Sequence, residues 1–260
     1  MTDFTLIEGN LRHYFRSLAE ARAHAVIREF SGIAAISLGV RFQMFNAAFL
    51  ANPVEDERDF ERRVTAASVH FHAHGQEWSL WLCDGLLSEA LQRRATRILQ
   101  RTGLRQSSLM PGMLADALNS QARNLPECEI REVDSPEDLE SFRQVGATCF
   151  HVPRPWFDEV FDEQTIRRGT FRSWLALADG RPVCTAATVL DSSAIGIYNV
   201  GTIPEFRGRG YAEAIVRECI RQECIHAPPL PIVLQSTQAG LNLYHELGFR
   251  SLTRFRVWVA

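Results

Sequence analysis

The strongest constraint on the fold lies at residues 197–212, IYNVGTIPEFRGRGYA. There an apolar run passes through Pro204 into Arg207-Gly208-Arg209-Gly210 and on into a helical pattern. A strand that turns directly into a helix belongs to an α/β chain. Glycines let the backbone approach a ligand closely, and the first-turn amides of the helix have no intrahelical partner. The helix dipole and the two arginines add positive charge. This is an anion site, and a pyrophosphate is its natural occupant. The spacing is neither that of a phosphate loop, which ends in lysine, nor the dinucleotide pattern G-x-G-x-x-G. Taken alone, the turn is also compatible with an ordinary solvated strand-to-helix connection.

All 28 basic residues are arginine, so mechanisms that need a lysine nucleophile or a lysine phosphate clamp are excluded. The formal charge of −3 gives no bulk attraction to nucleic acid or to an anionic membrane. The six cysteines form no C-x-x-C pair, and buried reduced thiols are expected, including Cys219 and Cys224 in a helical pattern. The first ten residues carry acids and no long apolar run, and no stretch reaches the roughly 18 apolar residues of a membrane span. A cytoplasmic protein without nucleic-acid or membrane partners is the expectation.

Along the chain, a helix is expected over 11–30 and paired strands over 33–38 and 42–50, followed by a helix over 56–74 and a strand over 77–83. An arginine-rich helix starts at Ser88. Residues 104–118 carry no clear pattern, and 119–126 read as a linker. After a strand at 128–133, Asp134-Ser135-Pro136-Glu137 starts a helix, which two prolines break at 151–155. Three strands follow at 171–178, 182–190 and 194–203, the first two joined at Asp179-Gly180. A helix from the glycine turn to about 226, a strand at 232–235, a helix at 238–247 ended by Gly248, and a strand at 255–259 complete the chain. Both halves share a similar order of elements, a faint sign of internal duplication, but the first has no glycine-rich turn.

A second cluster, LQSTQAGLNLYHELGF at 234–249, supplies the context for the first. Val200, Pro204, Arg207, Gly210 and Ala212, followed by Ala239, Tyr244, Gly248 and Phe249, resemble the signature of the GNAT superfamily of acyl-CoA-dependent N-acyltransferases. The resemblance covers 129–260 well and the first 125 residues loosely. It implies an α/β fold with a mixed, partly antiparallel central sheet flanked by helices, in two tandem GNAT-like halves. The first, 1–125, is a degenerate copy that shapes the acceptor cleft or a dimer surface; the second, 126–260, is catalytic.

The resemblance also implies roles. The pantetheine arm of acetyl-CoA pairs with the backbone of Val200, Gly201 and Thr202, where an amide polarises the thioester carbonyl. The pyrophosphate rests on the turn formed by Gly208, Gly210, Tyr211, Ala212 and Glu213, aided by Arg207 and Arg209. Tyr244 protonates the departing thiolate. Thr237 stands where many relatives place a pantetheine-contacting asparagine, and Ile232 where some place a glutamate base. No base therefore transfers, and Glu205, His151 and Asp191, or a water chain, are the candidates by residue type alone. The expected reaction moves an acetyl group to a primary amine, on a small molecule or a protein N-terminus, by direct attack in a ternary complex and without a metal. The rival is a non-catalytic acyl-CoA-binding or sensing protein, and a third reading makes the first half an interaction module. His70 and His74 share a helix face but are too few for a metal site, and Arg93, Arg94, Arg97, Arg101 and Arg105 form a basic strip typical of a solvated helix side.

Overall fold

The computed structural model describes residues 3–166, 171–226 and 228–260. In the first half, α1 (Asp3–Glu20) precedes β1 (Val26–Phe30), β2 (Ile33–Ser37), β3 (Asn46–Leu50), α2 (Glu57–Ala73), β4 (Ser79–Cys83), α3 (Glu89–Arg101) and β5 (Arg105–Ala115). The second half holds β6 (Glu129–Glu132), α4 (Pro136–Phe150), α5 (Arg154–Val160), α6 (Glu163–Ile166), β7 (Phe171–Ala178), β8 (Arg181–Leu190) and β9 (Ile195–Thr202). It ends with α7 (Tyr211–His226), β10 (Ile232–Gln235), α8 (Leu241–Glu246) and β11 (Arg250–Val259).

Several local expectations are corrected. The helix expected over 11–30 ends at Glu20, because Ser31 and Gly32, both at positive φ, make a two-residue hairpin turn that pairs Val26–Phe30 with Ile33–Ser37. The unpatterned stretch 104–118 contains β5, one of the longest strands, whose neighbours on both sides are strands of the second half. As expected, α4 ends just before the two prolines; Pro153 then caps α5, and Pro155 sits in its first turn. Other starts are as read: Ser88 accepts from the Leu91 amide and Ser135 from the Asp138 amide. All six cysteines are free, but Cys224 is exposed and Cys128 and Cys149 are half-buried.

The strands form one eleven-stranded sheet in the order β1-β2-β3-β4-β11-β5-β10-β9-β8-β7-β6. The last strand of each half lies among the strands of the other: β5 pairs with β10, and β11 with β4. These two exchanged strands pair antiparallel at the centre. Among the described strands β3/β4 and β9/β10 pair in parallel, each through two registers, and they occupy corresponding places in the two halves.

Helix α1 touches strands far apart in this order. Phe15 meets Phe49 of β3 and Trp81 of β4 at 5.2 and 5.3 Å, while Tyr14 meets Tyr198 of β9 and Phe171 of β7 at 4.2 and 5.8 Å. In a flat sheet β3 and β7 would lie roughly 34 Å apart. The sheet therefore curves around α1. On its other face α7 packs Ile215, Val216 and Cys219 into one apolar cluster with Ile195 and Ile197.

Candidate active site

Strand β9 pairs with β10 only at Ile195/Ile232 and Gly196/Val233, and beyond these registers the two strands part. On its other side β9 stays paired with β8 as far as Thr202/Cys184, with one irregularity: the ladder passes from Ala187/Tyr198 to Thr185/Gly201. Two residues, Asn199 and Val200, thus oppose Ala186 alone, which is a β-bulge. Asn199 has φ 53, a left-handed conformation that asparagine tolerates better than most residues. The Thr185 hydroxyl donates to its carbonyl at 2.9 Å, and the Tyr14 hydroxyl donates to its Oδ1 at 3.0 Å. A bulge turns backbone groups out of the ladder.

Gly201 lies where a Cβ would stand 2.7 Å from Cys149 Cβ at the end of α4, so the close approach of that helix requires glycine. Thr202 Oγ1 is 3.2 Å from Cys184 Sγ. Beyond a short 3-10 turn at Pro204–Phe206, Arg207 is extended and Gly208 and Gly210 take φ 74 and 97, which bends the chain into α7. A Cβ on Gly208 would meet nothing within 4 Å, so this side of the turn is open. Arg207 Nε donates to Thr202 O at 3.0 Å, and the Arg209 guanidinium lies over the Phe206 ring at 5.1 Å. Among the described residues neither is paired with a carboxylate, whereas Arg123 and Arg217 are both paired with the buried Glu213. Tyr211 packs on Phe206 at 5.6 Å. The turn thus offers backbone amides, an open approach and two unneutralised charges.

The expected linker is a strap across the site. Pro126 and Leu125 pack against Gly210, Arg123 pairs with Glu213, and the Asn119 carbonyl accepts from Arg217. Asn119 also donates through Nδ2 to Glu246 O and through its amide to Leu247 O, which ties the start of α7 to the end of α8.

Tyr244 of α8 is buried, with its ring edge-on to Phe249 at 5.6 Å. Burial raises its phenol well above the ordinary range, and the neighbouring Cys184 thiol adds to the effect. Tyr244 belongs to the same apolar cluster as Cys184, the β8 residue whose Sγ meets Thr202 Oγ1. The Thr237 hydroxyl accepts from the Gly240 amide at 3.3 Å, steadying the turn into α8. Cys149 is pushed up to about 11 by burial, although the Arg207 guanidinium beside it pulls the other way.

The sequence-named sites from Val200 to Glu213 follow one another along the chain, while Thr237 comes just after β10 and Tyr244 lies in α8. Of the base candidates, Asp191 belongs elsewhere. It accepts from the amides of Ser193 and Ala194 and from Asn10, fixing the β8–β9 turn at the opposite end of β9 from the bulge. His151 is an exposed left-handed cap of α4, and Glu205 lines a cavity of about 430 Å³ beside α4. Sequence reasoning missed Asn199 and Tyr14. An asparagine inside the apolar strand was the available signal for the bulge, but nothing local marks Tyr14.

In the first half the corresponding β3–α2 connection is acidic. Asp56 caps α2 and Glu57 and Asp59 follow in its first turn, so an anion would meet negative charge there. Among the described residues no group of three or more His, Cys, Asp and Glu side chains could hold a metal ion. The His70 and His74 rings lie 4.6 Å apart, tilted at 47° to each other. Part of the basic strip is neutralised, since Arg94 and Arg101 reach Glu57 and Arg101 also reaches Glu61. No described helix is long and apolar enough to cross a membrane.

Residues 169–251 match the family described as acetyltransferase (GNAT) domain. The chain carries a GNAT domain. The likeness of the fold extends well beyond that domain. A GCN5-related N-acetyltransferase from Kribbella flavida is 16% identical, with 95% of this chain and 94% of that one covered at a TM-score of 0.70. A functionally unknown conserved protein from Staphylococcus epidermidis ATCC 12228 is 13% identical over 91% and 94%, at 0.64. A GCN5-related N-acetyltransferase from Sphaerobacter thermophilus is 16% identical over 88% and 76%, at 0.57. The first half thus shares its fold with GCN5-related N-acetyltransferases.

Proposed function

We propose that the chain transfers an acetyl group from acetyl-CoA to a primary amine by direct attack in a ternary complex. The observation that carries this reading is that β9 leaves β10 after two registers and runs through a bulge into an open glycine turn flanked by two arginines without carboxylate partners among the described residues. These residues suit the donor: amides of 208–213 with Arg207 and Arg209 for the pyrophosphate, and the backbone of Val200, Gly201 and Thr202 for the pantetheine arm. Acetyl-CoA supplies a thioester carbonyl and a thiolate leaving group. An amide freed by the bulge holds the negative charge that develops on the carbonyl oxygen. Tyr244 donates a proton to the thiolate, and its burial keeps that proton on the phenol at neutral pH. In this reading 126–260 carry the donor, and 1–125 wall the acceptor side through α1.

Calorimetric titration of acetyl-CoA tests the donor site. The Arg207→Ala/Arg209→Ala variant should bind at least tenfold more weakly than wild type, about 1.4 kcal/mol or more. Thiol release with a panel of amines tests turnover, which Tyr244→Phe should reduce while binding persists. Binding by wild type without turnover on any amine would instead support a non-catalytic acyl-CoA-binding protein.

A further inference from the structure

Helix α1 belongs to the half that lacks a glycine turn, yet its side chains reach the bulge of β9. The Tyr14 hydroxyl donates to Asn199 Oδ1 at 3.0 Å, and its ring stacks on Tyr198 with centroids 4.2 Å apart and planes 11° from parallel. One turn earlier, Asn10 Oδ1 accepts from the Tyr198 hydroxyl at 2.7 Å, while its Nδ2 donates to Asp191 Oδ2 at 2.8 Å. The helix thus grips β9 just before the bulge and at the bulge itself. Tyr14 is wholly within the core, so the hydroxyl that meets Asn199 cannot exchange it freely for water.

Asn199 is where that grip matters. Its φ of 53 is an unfavourable conformation for any residue with a Cβ, and the surroundings must hold it. Thr185 secures its carbonyl and Tyr14 its side chain. With both ends fixed, the peptide planes on either side of Asn199 have one orientation, and they set the direction of the amides that leave the β8 ladder.

We propose that Tyr14 is a positioning residue for acyl transfer: through Asn199 it fixes the β9 bulge so that its free amide faces the acyl carbonyl. The first half would then contribute to the chemistry through one hydroxyl without touching the donor. This inference rests on the acetyl-CoA reading above.

The test compares the affinities of acetyl-CoA and free CoA in wild type, Tyr14→Phe, Asn199→Ala and the double variant. Phenylalanine keeps the ring stack and removes only the hydroxyl. The bulge amide meets the acetyl group, whereas the glycine turn meets both ligands. Tyr14→Phe should therefore lower the acetyl-CoA to CoA affinity ratio at least fivefold, with CoA binding held within twofold. Asn199→Ala should do the same, and the double variant should be no worse than either single. An unchanged ratio, an equal loss for both ligands, or additive effects would overturn the proposal. Should wild type bind neither ligand, the acetyl-CoA reading itself has failed. Amide hydrogen exchange in the ligand-free protein then decides about Tyr14. Faster exchange confined to residues 198–202 in Tyr14→Phe supports the grip on the bulge, and unchanged exchange there overturns it.

Discussion

Arg123 reaches from the segment between the halves to Glu213 in the first turn of α7, its Nε 3.1 Å from Oε2. The carboxylate is buried, and Arg217 holds its other oxygen at 2.9 Å. Glu213 also sits at a helix N-terminus, where negative charge is favoured. Glu213→Gln should cost about 1–3 kcal/mol, because two guanidinium groups lose their charged partner in a confined place. Arg123→Ala, at the exposed end of the pair, should cost no more than about 1 kcal/mol. Urea denaturation of both variants measures the asymmetry.

The contact between Gly201 and Cys149 sets the distance from α4 to β9. A Cβ at 201 would stand 2.7 Å from Cys149 Cβ. Gly201→Ala should destabilise by about 1–3 kcal/mol, since backbone must move to admit it. Adding Cys149→Gly removes the opposing Cβ, so the double variant should be more stable than the sum of the two single effects. Thermal melting of the four proteins in the cycle measures that coupling.

Glu8 predicts a pH dependence. It lies 2.8 Å from Arg12 on α1, but burial outweighs the guanidinium and pushes its carboxyl from 4.5 up to about 7. Between those values the folded state holds a proton that the unfolded chain has lost. The stability this supplies is complete below about 4.5 and disappears as the pH rises through 7. Glu8→Gln removes the dependence. Relative to that variant, wild type should lose about 2–3 kcal/mol between pH 5 and 8, read from denaturation at each pH.

Asp84 joins the two halves electrostatically. It follows β4, and its oxygens accept from Arg256 Nε at 2.7 Å and Arg254 Nε at 3.0 Å, both from β11. Asp84 and Arg256 are buried. Asp84→Ala leaves that arginine without its partner and should cost about 3–5 kcal/mol. Asp84→Ala combined with Arg256→Leu should return to within about 2 kcal/mol of wild type. A double variant no better than the single one would show that the ion pair is not what the first change removed.

What the sequence made legible was local. Ser88 and Ser135 announce their helices by a cap three residues ahead of its amide partner, and Asp179-Gly180 announces its turn. Arg207-Gly208-Arg209-Gly210 announces the bend into α7, because only glycine takes those φ values cheaply. What stayed hidden depends on distant partners. The stretch Arg105–Ala115 has polar residues at one end and apolar ones at the other, since β5 is buried only where β10 and β11 cover it. Val26–Phe30 sits at the sheet margin with β2 its partner, and its mixed polarity passed for a helix. Asp191 has the residue type of a base, but its neighbours are the amides of its own turn. Tyr14 and Asn199, far apart along the chain, meet only once the sheet has curved around α1.

The exchange of β5 and β11 bears on any attempt to shorten the chain. A fragment beginning at residue 126 would leave β10 bare on the side that β5 now fills, and β11 bare on both sides. Bare strand edges recruit other chains. Such a fragment would tend toward intermolecular pairing even with every residue of its glycine turn intact, so the half without a glycine turn acts as the solubilising partner of the half that has one.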